Sequence, residues 1–328
     1  SMSNTIGVYG AGAWGSALAL TAARAGAEVI LCGRDAGEAE ALNATRRSSH
    51  LPDAVFPSAI TAHSDPASLA GVDLVLLAVP AQSSRRAAAT LAEVVGADTV
   101  IVSCAKGIEQ ATGARPSVAI GAALPGRRVA VLSGPGFADD VARGLPTAVN
   151  SAADDSALAD AICRRPAGPT FRPDAAIDIA GVEMGGALKN VLAIAAGIVA
   201  GRALGASAQA AVITRGFVEM RRLAAAFGAE AETLMGLSGF GDLVLTCSST
   251  QSRNYSFGLG IGRGEPPASF GKLAEGAATV GIAVQKAADF SVEVPIMAAV
   301  AEVLAGRLSV DDAVDRLMAR PLKRENII

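Results

Sequence analysis

Lys189 is the first residue whose type and setting point to chemistry. It lies in Ile179 to Gly201, IAGVEMGGALKNVLAIAAGIVAG, whose only other charge is Glu183. An all-round apolar helix is a core helix or a membrane span. In a core, burial disfavours the ammonium form and lets a lysine take or return a proton near neutral pH. The alternative is a lysine that snorkels to the surface. The glycines Gly181, Gly185, Gly186, Gly197 and Gly201 interrupt the same stretch. Each costs a helix roughly 1 kcal/mol against alanine, so their clustering predicts a backbone or a ligand close by.

A second group could hold a dinucleotide. Gly10-Ala11-Gly12-Ala13-Trp14-Gly15 stands between the apolar run Thr5 to Tyr9 and the helical run Ser16 to Ala25, with Glu28 to Cys32 as a second strand. This is G-x-G-x-x-G in a βαβ setting. Gly10 permits the tight turn, Gly12 admits a pyrophosphate, and Gly15 allows close helix–sheet packing. The phosphates then meet the positive end of the helix. The second strand ends Cys32-Gly33-Arg34-Asp35. Arginine there suits a 2′-phosphate and an acid suits a 2′-hydroxyl. Arg34 comes first and favours NADP(H), Asp35 keeps NAD(H) open, and a merely solvated Arg34 is the plain alternative.

Other candidates lie where strands end. Thr99 to Ser103 runs into Cys104-Ala105-Lys106-Gly107, and Val129 to Leu132 into Ser133-Gly134-Pro135-Gly136-Phe137-Ala138. Ligands of doubly wound sheets bind beyond such carboxyl ends, which makes Lys106 a candidate for an anionic or carbonyl-bearing substrate. Further on, Gly236 to Asp242 is a glycine-rich loop ending on an acid. Ser252-Arg253-Asn254 groups a hydroxyl, a guanidinium and an amide. A planar guanidinium can engage two phosphate oxygens at once. Taken singly, each loop is equally an ordinary turn.

The elements that must hold these residues divide in two. Strands at Thr5–Tyr9, Glu28–Cys32, Val72–Val79, Thr99–Ser103 and Val129–Leu132 alternate with helical runs, which predicts a parallel α/β sheet. Thr147 to Asn150, a helix from about Asp154 and a short strand near Thr170 to Arg172 complete it, with Pro166, Gly168, Pro169 and Pro173 marking irregular chain. Beyond Asp178 the patterns are helical: Ile179–Gly201, Ser207–Gly228, Ala277–Phe290 and Pro295 to about Ala305. The expected division is residues 1–177 for the dinucleotide domain and 178–328 for a helical substrate domain.

Composition narrows the function classes. At 328 residues the chain can bury a sizeable core, 51% of it hydrophobic, and its net charge of -3 with no long Lys/Arg run argues against nucleic acid. A membrane span at 179–201 is disfavoured by Lys189 and Asn190 in mid-segment and by the lack of flanking aromatics. Cys32, Cys104, Cys163 and Cys247 lie far apart, as reduced buried thiols of a cytoplasmic protein would. His50 and His63 fall in a polar, proline-flanked region and suggest no metal site. The first residues lead straight into a strand, so no signal peptide is expected, and Ser1 before Met2 reads as a remnant of tag removal.

Taken together these segments resemble the bacterial NAD(P)-dependent sn-glycerol-3-phosphate dehydrogenases. The matching motifs are GAGAWGSALA at 10–19, SCAKGIE at 103–109, SGPGFADDVARGLPTA at 133–148 and GVEMGGALKNVLAIAAGI at 181–198. ITRGFVEM at 213–220, GLSGFGDLVLTCSSTQSRN at 236–254 and VPI at 294–296 continue the match in the family's order. The resemblance implies a Rossmann-type domain followed by an all-helical domain like the C-terminal one of 6-phosphogluconate dehydrogenase. It implies interconversion of dihydroxyacetone phosphate and sn-glycerol 3-phosphate, supplying phospholipid synthesis, with NADP or NAD and no metal. A homodimer is the expected assembly, although no residue shows it.

Carried over by position, Lys189 matches the family's proton acceptor and Lys106 a lysine shared by substrate and nucleotide. Gly134, Gly136, Asp242, Ser252, Arg253 and Asn254 match substrate positions. Ala13, Trp14, Arg34, Lys106, Ala138, Arg253, Leu273 and Glu275 match cofactor positions. The chain departs from the family in two places. Ser207 stands where asparagine is usual, and Gly136 where serine or threonine is usual, so contacts at Gly136 are left to backbone. Rival readings are a 3-hydroxyacid dehydrogenase or ketopantoate reductase of like architecture, which the SRN and GFGDLVLTC segments disfavour, and a redox sensor that binds NADP without turnover, which the retained Lys106, Lys189, Asp242 and Arg253 disfavour.

Overall fold

Eight strands form one sheet in the order β3-β2-β1-β4-β5-β6-β7-β8. The structure, a computed structural model, describes residues 3–321; Ser1, Met2 and the last part of the expected 178–328 domain lie outside them. The βαβ unit read from the glycine motif is present as β1 (Thr5–Tyr9), α1 (Ala13–Arg24) and β2 (Glu28–Cys32). It is followed by α2 (Ala36–Thr45), β3 (Ile60–His63), β4 (Leu74–Leu77), α3 (Ser84–Ala92), β5 (Val100–Ser103) and α4 (Pro116–Ala123). Then come β6 (Val129–Ser133), α5 (Ala138–Ala142), β7 (Thr147–Ala152), α6 (Ser156–Arg164) and β8 (Phe171–Ala176). Neighbouring strands are parallel except β6 and β7, where Leu132 faces Ser151 in antiparallel register. From β1 the chain builds outward to β3, then crosses back to lay β4 on β1's other side. Such a reversal opens a crevice at the strands' carboxyl ends.

The central strands β4, β5 and β6 are mostly apolar and buried because both faces of the sheet are covered there. Ile6, Val8 and Leu76 pack with Leu18 of α1 on one side, and Val75 and Ile101 with Leu91 and Ile120 on the other. The last strand corrects the expectation of a short strand followed by irregular chain at Pro173. Pro173 lies inside β8, opposite Val149. As the edge strand, β8 pairs only with β7, and a proline without an N–H is tolerated there. α2 and β3 were not anticipated, since the polar run between them hides the apolar Ile60 and Ala62.

Among the described residues, no strand follows Ala176. The chain continues as α7 (Ile179–Gly201), α8 (Ala206–Ala226), α9 (Ala231–Leu234), α10 (Asp242–Thr246), α11 (Arg253–Gly262), α12 (Glu275–Asp289), α13 (Pro295–Leu304) and α14 (Val310–Met318). Asp178 starts α7 by accepting from Gly181 N at 2.9 Å, a side-chain cap on an otherwise orphan donor. α7 is long and apolar enough to cross a membrane, yet every residue from Gly181 to Val199 is buried within the protein. It is the axis around which the other helices pack.

The glycines of α7 answer the close approach predicted for them. A Cβ on Gly197 or Gly201 would run into the carbonyls of Tyr255 and Leu259, and one on Gly258 or Gly262 into those of Ile194 and Ile198. Gly-x-x-x-Gly on α7 therefore meets Gly-x-x-x-Gly on α11, and the two backbones touch without side chains between them. Nearer the amino end, a Cβ on Gly185 would lie 2.7 Å from the Ser238 carbonyl.

Candidate active site

A cleft of about 900 Å³ lies between the carboxyl ends of the strands and the helical half. Gly12, Ala13, Trp14, Gly15, Arg34 and Ala138 line its outer end. Gly12 is the N-cap of α1 and offers no side chain to the helix's first N–H groups. A Cβ on Gly12 would meet no atom within 4 Å, whereas one on Gly15 would collide with the Gly10 carbonyl. Gly10 itself stands behind the lining at φ 111°, a conformation that favours glycine. Open space over uncapped helix amides fits a pyrophosphate. Trp14 Nε1 is buried without a partner among the described residues. These features fit a dinucleotide and leave polar atoms for it to meet.

At the end of β2, the residues Arg34 and Asp35 part company. Arg34 is exposed and lines the cleft. Asp35 is the N-cap of α2 and accepts from Glu38 N at 3.0 Å. Its Oδ1 helps to start that helix, and Asp35 is not among the residues that line the cleft.

In the middle of the cleft three charged residues converge. Asp242, the first residue of α10, is 1% exposed. Its Oδ1 accepts from Lys189 Nζ at 3.0 Å and its Oδ2 from Lys106 Nζ at 2.8 Å. Lys106 also donates to the Gly134 carbonyl at 3.0 Å and lies 5.9 Å from the centre of the Trp14 ring. Gly134 thus serves from behind the lining, while Gly136 is on it. Lys189 is 7% exposed, so it does not snorkel. Its burial lowers its pKa to about 8; Asp242 opposes that shift and Lys106 adds to it. Burial likewise pushes the neighbouring thiols of Cys104 and Cys247 up to about 12 and keeps them protonated.

The inner end is built on the amino terminus of α11. Ser252, Arg253 and Asn254 were read as a loop, but Ser252 is the N-cap and the other two are the first helical residues. Ser252 Oγ accepts from Tyr255 N at 3.2 Å and pairs with Thr246 Oγ1 at 2.6 Å. Asn254 Oδ1 accepts from Gly276 N at 2.8 Å, which ties α11 to the start of α12. Arg253 is exposed on the cleft. The positive end of the helix and the guanidinium together suit a phosphate. Leu273 and Glu275 close this end. Glu275 reaches across to accept from Ala81 N at 3.2 Å, and burial raises its pKa to about 7. The glycine-rich stretch before Asp242 is likewise a wide helical turn, Leu237–Gly241, running into α10.

Some lining residues escaped the sequence reading. Asn190, Thr246, His50 and Lys272 all face the cleft. Asn190 and Thr246 lay inside quoted motifs without a role, and His50 was set aside as a residue of a polar region. Of the two departures, Gly136 packs under Trp14, where a Cβ would stand 3.1 Å from Trp14 Cη2. Ser207 is exposed in the first turn of α8, outside the cleft lining. Among the described residues no three His, Cys, Asp or Glu side chains gather as a metal site.

Comparison with known proteins agrees with this layout. Family models described as NAD-dependent glycerol-3-phosphate dehydrogenase N-terminus and C-terminus match residues 5–159 and 178–315. The chain is 53% identical over 322 residues to a glycerol-3-phosphate dehydrogenase [NAD(P)+] of Bradyrhizobium sp. (strain ORS 278), covering 98% of each. It is 54% identical over 322 residues to the protein of that name from Azorhizobium caulinodans, again covering 98% of each. The crystal structure of glycerol-3-phosphate dehydrogenase from Coxiella burnetii matches with a TM-score of 0.92 at 37% identity, covering 97% of this chain and 99% of that one.

Proposed function

The chain belongs to the NAD(P)-dependent glycerol-3-phosphate dehydrogenase family, and we propose how its cleft interconverts dihydroxyacetone phosphate and sn-glycerol 3-phosphate. The reaction consumes NAD(P)H, the ketone and one proton, and yields NAD(P)⁺ and the alcohol. A dinucleotide held along the Gly12–Gly15 end of the cleft would supply or receive the hydride at the triose C2. Lys189 gives its proton to the C2 oxygen in reduction and takes it back in oxidation. The observation that carries this role is a nearly water-free lysine at the cleft, paired with Asp242 and with a pKa near 8. Lys106 offsets charge developing on the same oxygen. Asp242 holds both ammonium groups in place.

Arg253, with Ser252 and Asn254 at the start of α11, receives the phosphate, and that remote binding orients C2. Gly134 and Gly136 border the triose through backbone. Gly10, Gly12, Ala13, Trp14, Gly15, Ala138, Leu273 and Glu275 hold the dinucleotide, with Lys106 and Arg253 shared between both ligands. Because Arg34 lines the cleft and Asp35 does not, Arg34 is placed to meet a 2′-phosphate, which favours NADP(H). The same reading divides the chain into a dinucleotide domain at 1–177 and a substrate domain at 178–328. It includes supply of phospholipid precursor, a cytoplasmic site that suits four free, buried thiols, and a homodimer, for which exposed Met235, Phe240 and Val244 offer apolar surface.

The test is loss of reduced-nicotinamide absorbance on adding dihydroxyacetone phosphate to the purified protein, with each cofactor in turn. Light scattering checks the dimer. No turnover with either cofactor would overturn the reading.

A further inference from the structure

Glu183 is a buried charge that the proposed chemistry does not use. It is 2% exposed and lies on α7 six residues before Lys189. Its Oε1 accepts from Arg115 Nη1 at 3.1 Å and from Ser117 Oγ at 2.7 Å, and its Oε2 from Ser117 N at 2.7 Å. Arg115 and Ser117 flank Pro116, the first residue of α4. They stand at the far end of the β5–α4 loop, whose near end carries Lys106. Seven residues beyond Glu183, Asn190 Nδ2 donates to the Lys106 carbonyl at 3.1 Å. Positions seven apart share a helix face about 10 Å apart along the axis. Gly186 lies between them on that face. A Cβ there would stand 2.5 Å from Ser133 Oγ and 3.4 Å from Lys106 Cγ. One face of α7 therefore grips the loop at both ends and is bare in between, where the Lys106 stem packs.

A buried ion pair is a poor source of stability, because desolvation offsets most of its attraction. Burial raises the pKa of Glu183 against the pull of Arg115 and Ser117. Its return is geometric. We propose that Glu183 is a positioning residue, which fixes the far end of the β5–α4 loop on α7 and so sets where Lys106 stands relative to Lys189 and Asp242. This rests on Lys189 as the proton donor.

The consequence is electrostatic. The groups that act on the Lys189 ammonium are Asp242, Lys106, Cys247 and Glu275. Lys106 repels it and competes for Asp242. If the loop slackens and Lys106 withdraws, Lys189 holds its proton more tightly. Ketone reduction needs that proton, so the alkaline limb of its pH profile moves to higher pH.

The experiment compares the full-length protein with Glu183→Gln and Ser117→Ala. In Glu183→Gln the amide NH₂ must face either Ser117 N or the pair Arg115 Nη1 and Ser117 Oγ. We expect kcat for reduction to fall on the order of tenfold to a hundredfold, as misplacements of about 1 Å do. The alkaline limb should shift upward. Ser117→Ala, which removes only the hydroxyl donor, should shift the limb the same way by less. If Glu183→Gln does not fold, Ser117→Ala decides by the same criterion. A lower melting temperature with the limb unmoved would mean a merely structural Glu183 and overturn the proposal. A limb that Lys189→Ala leaves in place sinks the proton-donor reading and this inference with it. A limb that Lys189→Ala abolishes and Glu183→Gln leaves unmoved sinks this inference alone.

Discussion

Lys189 and Asp242, 53 residues apart in the chain, meet at 3.0 Å in the centre of the cleft. Because Lys106 holds the other carboxylate oxygen at 2.8 Å, one acid serves two ammonium groups. The trio carries a net positive charge, which suits an anionic substrate. It also makes its members unequal.

Lys189→Ala leaves Asp242 paired with Lys106, so the fold should survive with little change in melting temperature. Turnover should fall roughly 10²–10⁴-fold, the usual contribution of a positioned acid–base. Asp242→Ala instead strands two cations, one of them 7% exposed. Breaking a buried pair from one side costs about 3–5 kcal/mol. That penalty should shrink as pH rises and the stranded amine sheds its proton. Thermal unfolding of both variants, free of ligands, checks the asymmetry; equal destabilisation would contradict it.

With Lys189 as the proposed proton donor, its lowered pKa of about 8 should set the pH behaviour of kcat/KM. Reduction needs the protonated amine and should decline as pH rises through that value. Oxidation needs the neutral amine and should rise through it. The unfolded chain binds this proton up to its ordinary 10.5. Between about 8 and 10.5 the unfolded state therefore holds more protons, and this group's contribution to stability increases with pH. Profiles measured in both directions should mirror one another, and matching slopes would refute the assignment.

Much of this was legible because local signals carried it. The bounds of α7 followed from a long, largely apolar run, and the β1–α1–β2 unit from three glycines between a strand and a helix. What was hidden depends on contacts between distant segments. α11 was unreadable as a helix because Gly258, Gly260 and Gly262 lower its propensity. It forms because two of those glycines let it lie against α7. Likewise Asp242 looked like the end of a loop, since the turn that leads into it is a wide helical one. The extension of β8 through Pro173 to Ala176 was missed because proline normally ends a strand, and only an unpaired edge admits it.

Arg34 and Asp35 can be separated experimentally. Arg34→Ala should narrow the preference for NADPH over NADH roughly ten- to a hundredfold, the loss of a charged hydrogen bond of about 1.5–3 kcal/mol. Asp35→Ala removes the α2 cap and should cost about 1 kcal/mol of stability with the cofactor ratio unmoved. The reverse pattern would assign the ribose to Asp35.

Arg253→Lys keeps the charge and loses the planar pair of donors. KM for dihydroxyacetone phosphate should rise, and dihydroxyacetone itself should be a very poor substrate for the unaltered protein. Comparable kcat/KM for the ketone with and without its phosphate would rule out Arg253 as the anchor.

The contact between α7 and α11 fixes Arg253 relative to Lys189, because Ser252 to Asn254 start the helix that Gly258 and Gly262 press onto α7. A methyl group on Gly258 would strike the Ile194 carbonyl, which is backbone and cannot turn aside. Gly258→Ala must therefore push the helices apart. Overpacking of this kind costs about 1–3 kcal/mol, and displacing Arg253 from Lys189 should raise KM for the triose and lower kcat. Gly260 is the control, two residues along the same helix. A Cβ there meets chiefly Glu265 Oε2 at 2.6 Å, the far end of a flexible side chain. Gly260→Ala should be tolerated and should gain up to about 1 kcal/mol from helix propensity. Melting temperatures and steady-state constants of the two variants decide the matter. Equal behaviour at Gly258 and Gly260 would mean that the bare backbone contact does not set the geometry of the site.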